Sequence, residues 1–234
     1  MIEFHKPQLT DKPWVDELLR RADHRGCEYN FTNLFVWSDA YDQHIARVGD
    51  FLVTHLCGAL GCSYIYPAGS GDIAPVLTAL EQDAAERGVP FRLVCLTQPQ
   101  IQELDTLFPG RFTFEADRDG FDYLYDIDRL ADLGGKKLHA KRNHINRFIE
   151  NNPSWVYEDI TPESLPECLE MDKEWYRSMV REGLAEERDL GDEGRALRLA
   201  MEHYHALGLE GGTHPGLRRG GGLHHGRPAL LRHL

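Results

Sequence analysis

Apolar residues recur along this chain with two periods, one near four and one of two, and the positions where the period changes divide it into elements. Trp14, Val15, Leu18 and Leu19 follow Thr10-Asp11 and Pro13 at helical spacing, which predicts a helix ending at Ala22. Phe31, Leu34, Phe35 and Trp37 predict a second helix over 30–41, its aromatic face belonging to a core. The period then shortens to two. Residues 44–48, a Gly49-Asp50 turn, 51–56 and 63–66 read as a three-strand antiparallel meander. A helix over 73–87 closes at Gly88, a continuous apolar strand covers 91–96, and a helix over 98–107 stops at Pro109-Gly110. Residues 2–4 predict a short first strand, and 111–115 with 121–127 a last strand pair about the turn Asp117 to Gly120.

A basic amphipathic helix follows. Leu138, Ile145 and Ile149 share one face with Phe148 at its edge, and Arg142 falls inside that stripe. Lys136, Lys137, Lys141 and Arg147, with His139 and His144, occupy the flanks and the opposite face, and no Asp or Glu lies between Leu133 and Ile149. Then the pattern restarts: Asn151-Asn152-Pro153 breaks the helix, 154–158 reads as a strand, Thr161-Pro162-Glu163 caps a helix carrying Leu165, Leu169, Met171 and Trp175, and another helix ends at Gly208.

Strand, two helices, three-strand meander, helix, strand, helix and strand pair is the topology of the N-acyltransferase (GNAT) fold. The chain therefore reads as α/β (α+β), a tandem GNAT-like acyltransferase fold with a complete first domain at 1–130, a basic connecting helix at 131–150, and a second domain at 151–210 that stops after strand, helix, helix.

Charge changes the picture by locating any polyanion. A formal charge of −12 over 234 residues excludes general coating of nucleic acid, so phosphates must be met locally, and the basic helix is the place for it. Its cations read either as a solvated face or as a strip for a tRNA backbone, a nucleotide or a lipid headgroup; Arg142 reads as paired with a carboxylate such as Asp119, Asp122 or Glu174, or with a phosphate. The five cysteines show no CxxC pair, and the first residues have no targeting character, so they read as reduced thiols of a cytoplasmic protein. No apolar run approaches the ~20 residues of a membrane span.

From Gly211 the composition turns to Gly, Arg, Pro, His and Leu, with no Asp or Glu after Glu210. A metal site on His214, His224, His225 and His233 finds no zinc spacing and no assisting Cys or carboxylate, and a basic polyanion-binding tail is a second reading. The expectation adopted is an unpacked, out-of-frame tail over 211–234. A reading shifted by one base from Thr213 permits two strands about a Gly turn, which are elements the second domain lacks.

The residues offer limited chemistry of their own. Gly69-Ser70-Gly71 stands where an acyl-CoA-dependent GNAT enzyme binds pyrophosphate, but Asp72 is expected to cap the helix and repel it. No Ser-His-Asp or Cys-His arrangement is visible, His44 and His55 read as satisfied strand histidines, and no catalytic residue is assigned.

Cys27-Glu28-Tyr29-Asn30-Phe31-Thr32-Asn33-Leu34-Phe35-Val36-Trp37, Tyr66-Pro67-x-Gly69-x-Gly71-Asp72, Arg118-Asp119-Gly120-Phe121-Asp122-Tyr123, and Gly135-Lys136-Lys137-x-His139-x-Lys141-Arg142-Asn143-His144-Ile145-Asn146-Arg147-Phe148 carry a resemblance. They resemble bacterial proteins of the phosphatidylglycerol lysyltransferase C-terminal domain family, related to FemAB-type aminoacyl transferases. The resemblance implies two GNAT-like domains and an acyl or aminoacyl transferase of which this chain would be an inactive truncation. It implies aminoacyl-tRNA or acyl-CoA as co-substrate with no permanently bound cofactor and assigns no catalytic residue by position; the substrate phosphate-binding set, Lys136, Lys137, Lys141, Arg142, His144 and Arg147, is read from the basic helix itself. A tRNA- or nucleotide-binding protein without chemistry is the alternative; DNA is not an expected partner.

Overall fold

The structure is a computed structural model that describes residues 1–58, 61–183, 187–213 and 230–232. Helix α1 (Lys12–Ala22) starts with Pro13 in its first turn, where a missing N–H costs nothing, and ends at Asp23 in the left-handed region. Helix α2 (Phe31–Val36) is capped by Asn30, whose Oδ1 accepts from Thr32 N at 2.8 Å and Asn33 N at 3.4 Å. It is shorter than the aromatic pattern predicts, because the chain passes through turns to Asp42, which has φ +44.

Strands β1 (His44–Val48), β2 (Phe51–Gly58) and β3 (Gly61–Gly69) form the expected meander, with Val48 opposite Phe51 across the two-residue turn. Helix α3 (Ala74–Arg87) follows and closes at Gly88, whose φ of +71 suits glycine. Strand β4 (Leu93–Val94) then adds parallel to β3, making a mixed sheet in the order β1-β2-β3-β4. Only two residues of the predicted 91–96 run are strand, since Cys95 takes φ +60 and breaks the extended backbone. Helix α4 (Gln98–Leu107) carries a capping box between Thr97 and Gln100.

The core of this sheet joins Val53, Tyr64 and Tyr66 to Val76, Leu77 and Leu80 of α3 and Leu104 of α4, all buried. The predicted first strand is reduced to a bridge between His5 and Ile45. The predicted strand pair at 111–115 and 121–127 is not formed. Phe112 instead packs on the rings of Phe91 and Phe108, Phe121 and Tyr123 are exposed, and Asp126 caps a helix α5 (Ile127–Asp132) by accepting from Arg129 N at 2.9 Å.

After a 3-10 turn at Lys136–Leu138 come α6 (His139–Asn151), strand β5 (Glu158–Asp159), α7 (Leu165–Arg181), α8 (Glu187–Glu202), α9 (Tyr204–Leu207), β6 (Glu210–Thr213) and β7 (Leu230–Arg232). β5, β6 and β7 form a second sheet in that order, with Glu158 opposite Thr213. Residues 211–213 are therefore strand, where an unpacked tail is expected from sequence; all three are buried, and Tyr157 lies so close over Gly212 that a β-carbon there would fall 2.0 Å from its ring. The rest of the expected tail, including His214, His224, His225 and His233, lies outside the described residues except for β7. The chain divides into two compact units, one built mainly from Met1–Glu115 and Met179–Leu209 and the other from Ala116–Ser178 and the residues from Glu210. Helix α8 thus groups with the first sheet, where it meets α2, rather than with the half-domain at 151–210.

Candidate functional site

The basic segment is a chain of exposed cations running into a helix N-terminus. Lys136, Lys137, Lys141, His144 and Arg147 are all exposed, and no carboxylate among the described residues forms an ion pair with any of them. Lys141 and His144 are three residues apart on α6 and so neighbour each other, with Arg147 one turn beyond His144 and Lys137 in the 3-10 turn just before the helix. The N-cap of α6 is Leu138, which offers no side-chain acceptor, and its first turn holds no acidic residue. The His139 N–H donates to Lys136 O in the 3-10 turn, and the positive end of the helix dipole lies at the same end as Lys136, Lys137 and His139. Like charges gathered there repel, and an anion relieves both the dipole and the lysines.

Arg142 does something different from the other five. Its Nη1 donates to the carbonyl oxygens of Leu133 and, at 3.0 Å, Gly135. The expected pairing with Asp119, Asp122, Glu174 or a phosphate gives way to backbone, because Leu133 ends α5 in the left-handed region with φ +49 and leaves carbonyls to satisfy. The guanidinium therefore fixes the loop that aims Lys136 and Lys137. The stripe of Ile145, Phe148 and Ile149 stays roughly half exposed, with Phe148 edge-on to Trp155.

The glycine loop before α3 is already occupied. Asp72 Oδ1 accepts from Ala74 N at 3.1 Å and Ser70 N donates to Asp50 O, so the carboxylate stands where a pyrophosphate would need free donors. Gly69 is required for packing: a β-carbon there would lie 2.1 Å from Asp50 O. The 27–37 motif is likewise built into the fold, with Asn33 Nδ2 donating to Cys27 O at 2.8 Å and the Tyr29 hydroxyl to Tyr66 O at 3.2 Å. Burial pushes the Tyr29 hydroxyl far above its ordinary pKa and keeps it protonated.

Residues 19–222 match the family described as phosphatidylglycerol lysyltransferase, C-terminal, a span that contains both the glycine loop and the basic helix. The chain belongs to that family. A crystal structure of a conserved protein of unknown function from Bacteroides thetaiotaomicron VPI-5482 is similar over 91% of this chain and 71% of its own, at 36% identity and a TM-score of 0.83. No curated protein matches the chain. Among the described residues no helix is long and apolar enough to cross a membrane, so the matched lysyltransferase region is present here without a described membrane-spanning helix.

A second cluster escapes the sequence reading. A cleft of about 570 Å³ is lined by Met1, Ile2, Glu3, Phe4, Asp42, His44, His55 and Arg87. His44 Nδ1 donates to Asp42 O at 3.0 Å, while His55 packs against the rings of Phe4 and Tyr64 with its Nε2 3.8 Å from Cys57 Sγ. Burial, then the nearby Arg87 charge, lowers the His55 pKa, so it is neutral near pH 7. Cys57 is disulfide-bonded to Cys62, opposite it in the β2–β3 ladder, which corrects the expectation of five reduced thiols. The signal in sequence was a pair of cysteines at matching positions on two hairpin strands, and it becomes visible only once the register is known.

Proposed function

We propose that this protein handles an aminoacyl-tRNA, and that Lys136, Lys137, Lys141, His144 and Arg147 hold its phosphates while the activated ester is presented for transfer. The observation that carries this reading is the run of exposed cations at the N-terminal end of α6, which has no side-chain cap and, among the described residues, no acidic partner for those cations. Family membership supplies the reaction class, since a lysyltransferase region suggests aminoacyl transfer. Such an ester is already activated, so the protein needs chiefly to position an amine or hydroxyl acceptor and take up its proton. The Asp72 carboxylate favours tRNA over acyl-CoA as donor: α3 starts one residue later than expected, with Ile73 at its N-cap, but Asp72 Oδ1 still accepts from Ala74 N, and Ser70 N is given to Asp50 O.

The other reading is a tRNA-holding protein without chemistry. It is favoured by His144, for which no ion pair with a carboxylate that would orient it as a base is found among the described residues.

The test is incubation of the protein with tRNA charged with labelled amino acids in the presence of amine and hydroxyl acceptors. Transfer of label above the hydrolytic background supports the transferase. Salt-sensitive binding without transfer supports the holder, and absence of binding at low salt overturns both.

A further inference from the structure

We propose that His55, Cys57 and Cys62 form a metal site for Zn²⁺ or a similar borderline-soft divalent cation, open when the Cys57–Cys62 disulfide is reduced. It is independent of the tRNA reading. The three side chains each offer one donor atom, and these atoms all lie within 4.8 Å of one another. The fold places them without rearranging the sheet. Cys57 is the ladder partner of Cys62, and His55, two residues before Cys57, points to the same face of β2. The spacing Cys57-x4-Cys62 is within the range that zinc-binding cysteine pairs use.

Distances agree with this chemistry. Zinc bonds of about 2.3 Å to sulfur and 2.0–2.1 Å to nitrogen, at a tetrahedral angle, require an N-to-S separation of roughly 3.6 Å; His55 Nε2 lies 3.8 Å from Cys57 Sγ. Both cysteines are partly exposed, which lets a reductant and a metal reach them. The His55 ring packs against both Phe4 and Tyr64, with ring centroids 5.6 and 5.0 Å away, so its direction is set before a metal arrives. Three protein ligands leave a fourth position for water or an anion, as in zinc sites that do chemistry rather than those that only brace a fold.

The disulfide decides when the site exists. A dithiol reductant attacks one sulfur through its thiolate, the Cys57–Cys62 bond breaks, and the departing sulfur leaves with the electron pair and takes up a proton. The reductant's second thiolate then resolves the mixed disulfide, so the reductant ends as a disulfide and the protein holds two thiols. Zn²⁺ binding releases those two protons to solvent and leaves two thiolate ligands and one neutral imidazole.

Cobalt(II) is the probe, because tetrahedral thiolate-bound cobalt shows a charge-transfer band and intense visible bands. The full chain, reduced without oxygen and freed of reductant, is expected to bind one cobalt per chain with both sets of bands, and the oxidised chain none. Cys57→Ser and Cys62→Ser, each left with one thiolate, are expected to weaken binding and the charge-transfer band, their double variant to lose that band, and His55→Ala to weaken binding and shift the visible bands. A second measurement needs no variant: zinc should protect Cys57 and Cys62 of the reduced wild type from alkylation, read by peptide mass spectrometry, and leave Cys27 as reactive as before. Absence of bands in the reduced, folded chain would overturn the proposal, as would bands or protection that map to Cys27, Cys95 or Cys168.

Discussion

Arg87 Nε donates to Asp83 Oδ2 at 2.6 Å, and the Asp83 side chain is wholly shielded from solvent. The same carboxylate accepts from the Tyr64 hydroxyl at 2.8 Å and from Ile2 N at 2.7 Å, while Arg87 Nη2 reaches Ile2 O at 3.1 Å. One buried acid thus ties α3 to β3 and to the N-terminal segment. Asp83→Ala leaves Arg87 and a buried hydroxyl unpaired and is expected to cost about 3 kcal/mol, measured by urea unfolding.

That network also sets a pH dependence. Burial alone would raise the Asp83 pKa, but the Arg87 guanidinium, the Ile2 N–H and the Tyr64 hydroxyl outweigh it and hold the value below the ordinary carboxylate range. A depressed folded-state pKa stabilises the protein fully above the unfolded value of about 3.9 and is lost as pH falls through the folded value. The urea midpoint of the wild type should therefore drop on acidification below about pH 4. In Asp83→Asn, already less stable at neutral pH, the drop should be shallower; parallel curves would contradict the assignment.

Gly69 offers a steric prediction. Its virtual β-carbon lies 2.1 Å from Asp50 O and 2.8 Å from Phe51 Cα, both backbone atoms that cannot swing aside. Gly69→Ala should spread the β2–β3 pair and lower stability by about 1–3 kcal/mol. Thermal melting checks it against Gly110→Ala, where nothing lies within 4 Å but φ is +67, so only the backbone cost of about 1 kcal/mol applies.

Arg142 separates positioning from phosphate contact. Arg142→Ala frees the Leu133 and Gly135 carbonyls and should cost about 1–2 kcal/mol locally, seen as faster amide exchange around residues 133–139. Arg142→Lys, with one ammonium in place of a planar fork, should restore only part of the protection.

The elements most legible in the sequence were those whose signal is local. The Pro13 start of α1, the Gly88 cap and the Gly49-Asp50 hairpin each act within a few residues, so spacing and residue type suffice. Partner-dependent features were not legible. Phe112, Phe121, Tyr123 and Tyr125 alternate like strand residues, yet a strand needs a ladder, and ring packing and exposure took those side chains instead. The Cys57–Cys62 pair needed the β2–β3 register, and Arg142 needed the left-handed turn at Leu133. The exposed cations of α6 were legible because a run without acids is visible in any register.

The central claim is that the α6 segment holds tRNA phosphates, and salt dependence of binding tests it most directly. Affinity for a charged tRNA, followed by fluorescence anisotropy across a series of salt concentrations, should fall linearly on a log-log plot. Lys137→Ala combined with Lys141→Ala should reduce that slope by roughly 1.4–1.8, since each phosphate contact contributes about 0.7–0.9, while far-UV circular dichroism stays unchanged. An unchanged slope in the folded double variant, or no salt-sensitive binding by the wild type, would contradict the account.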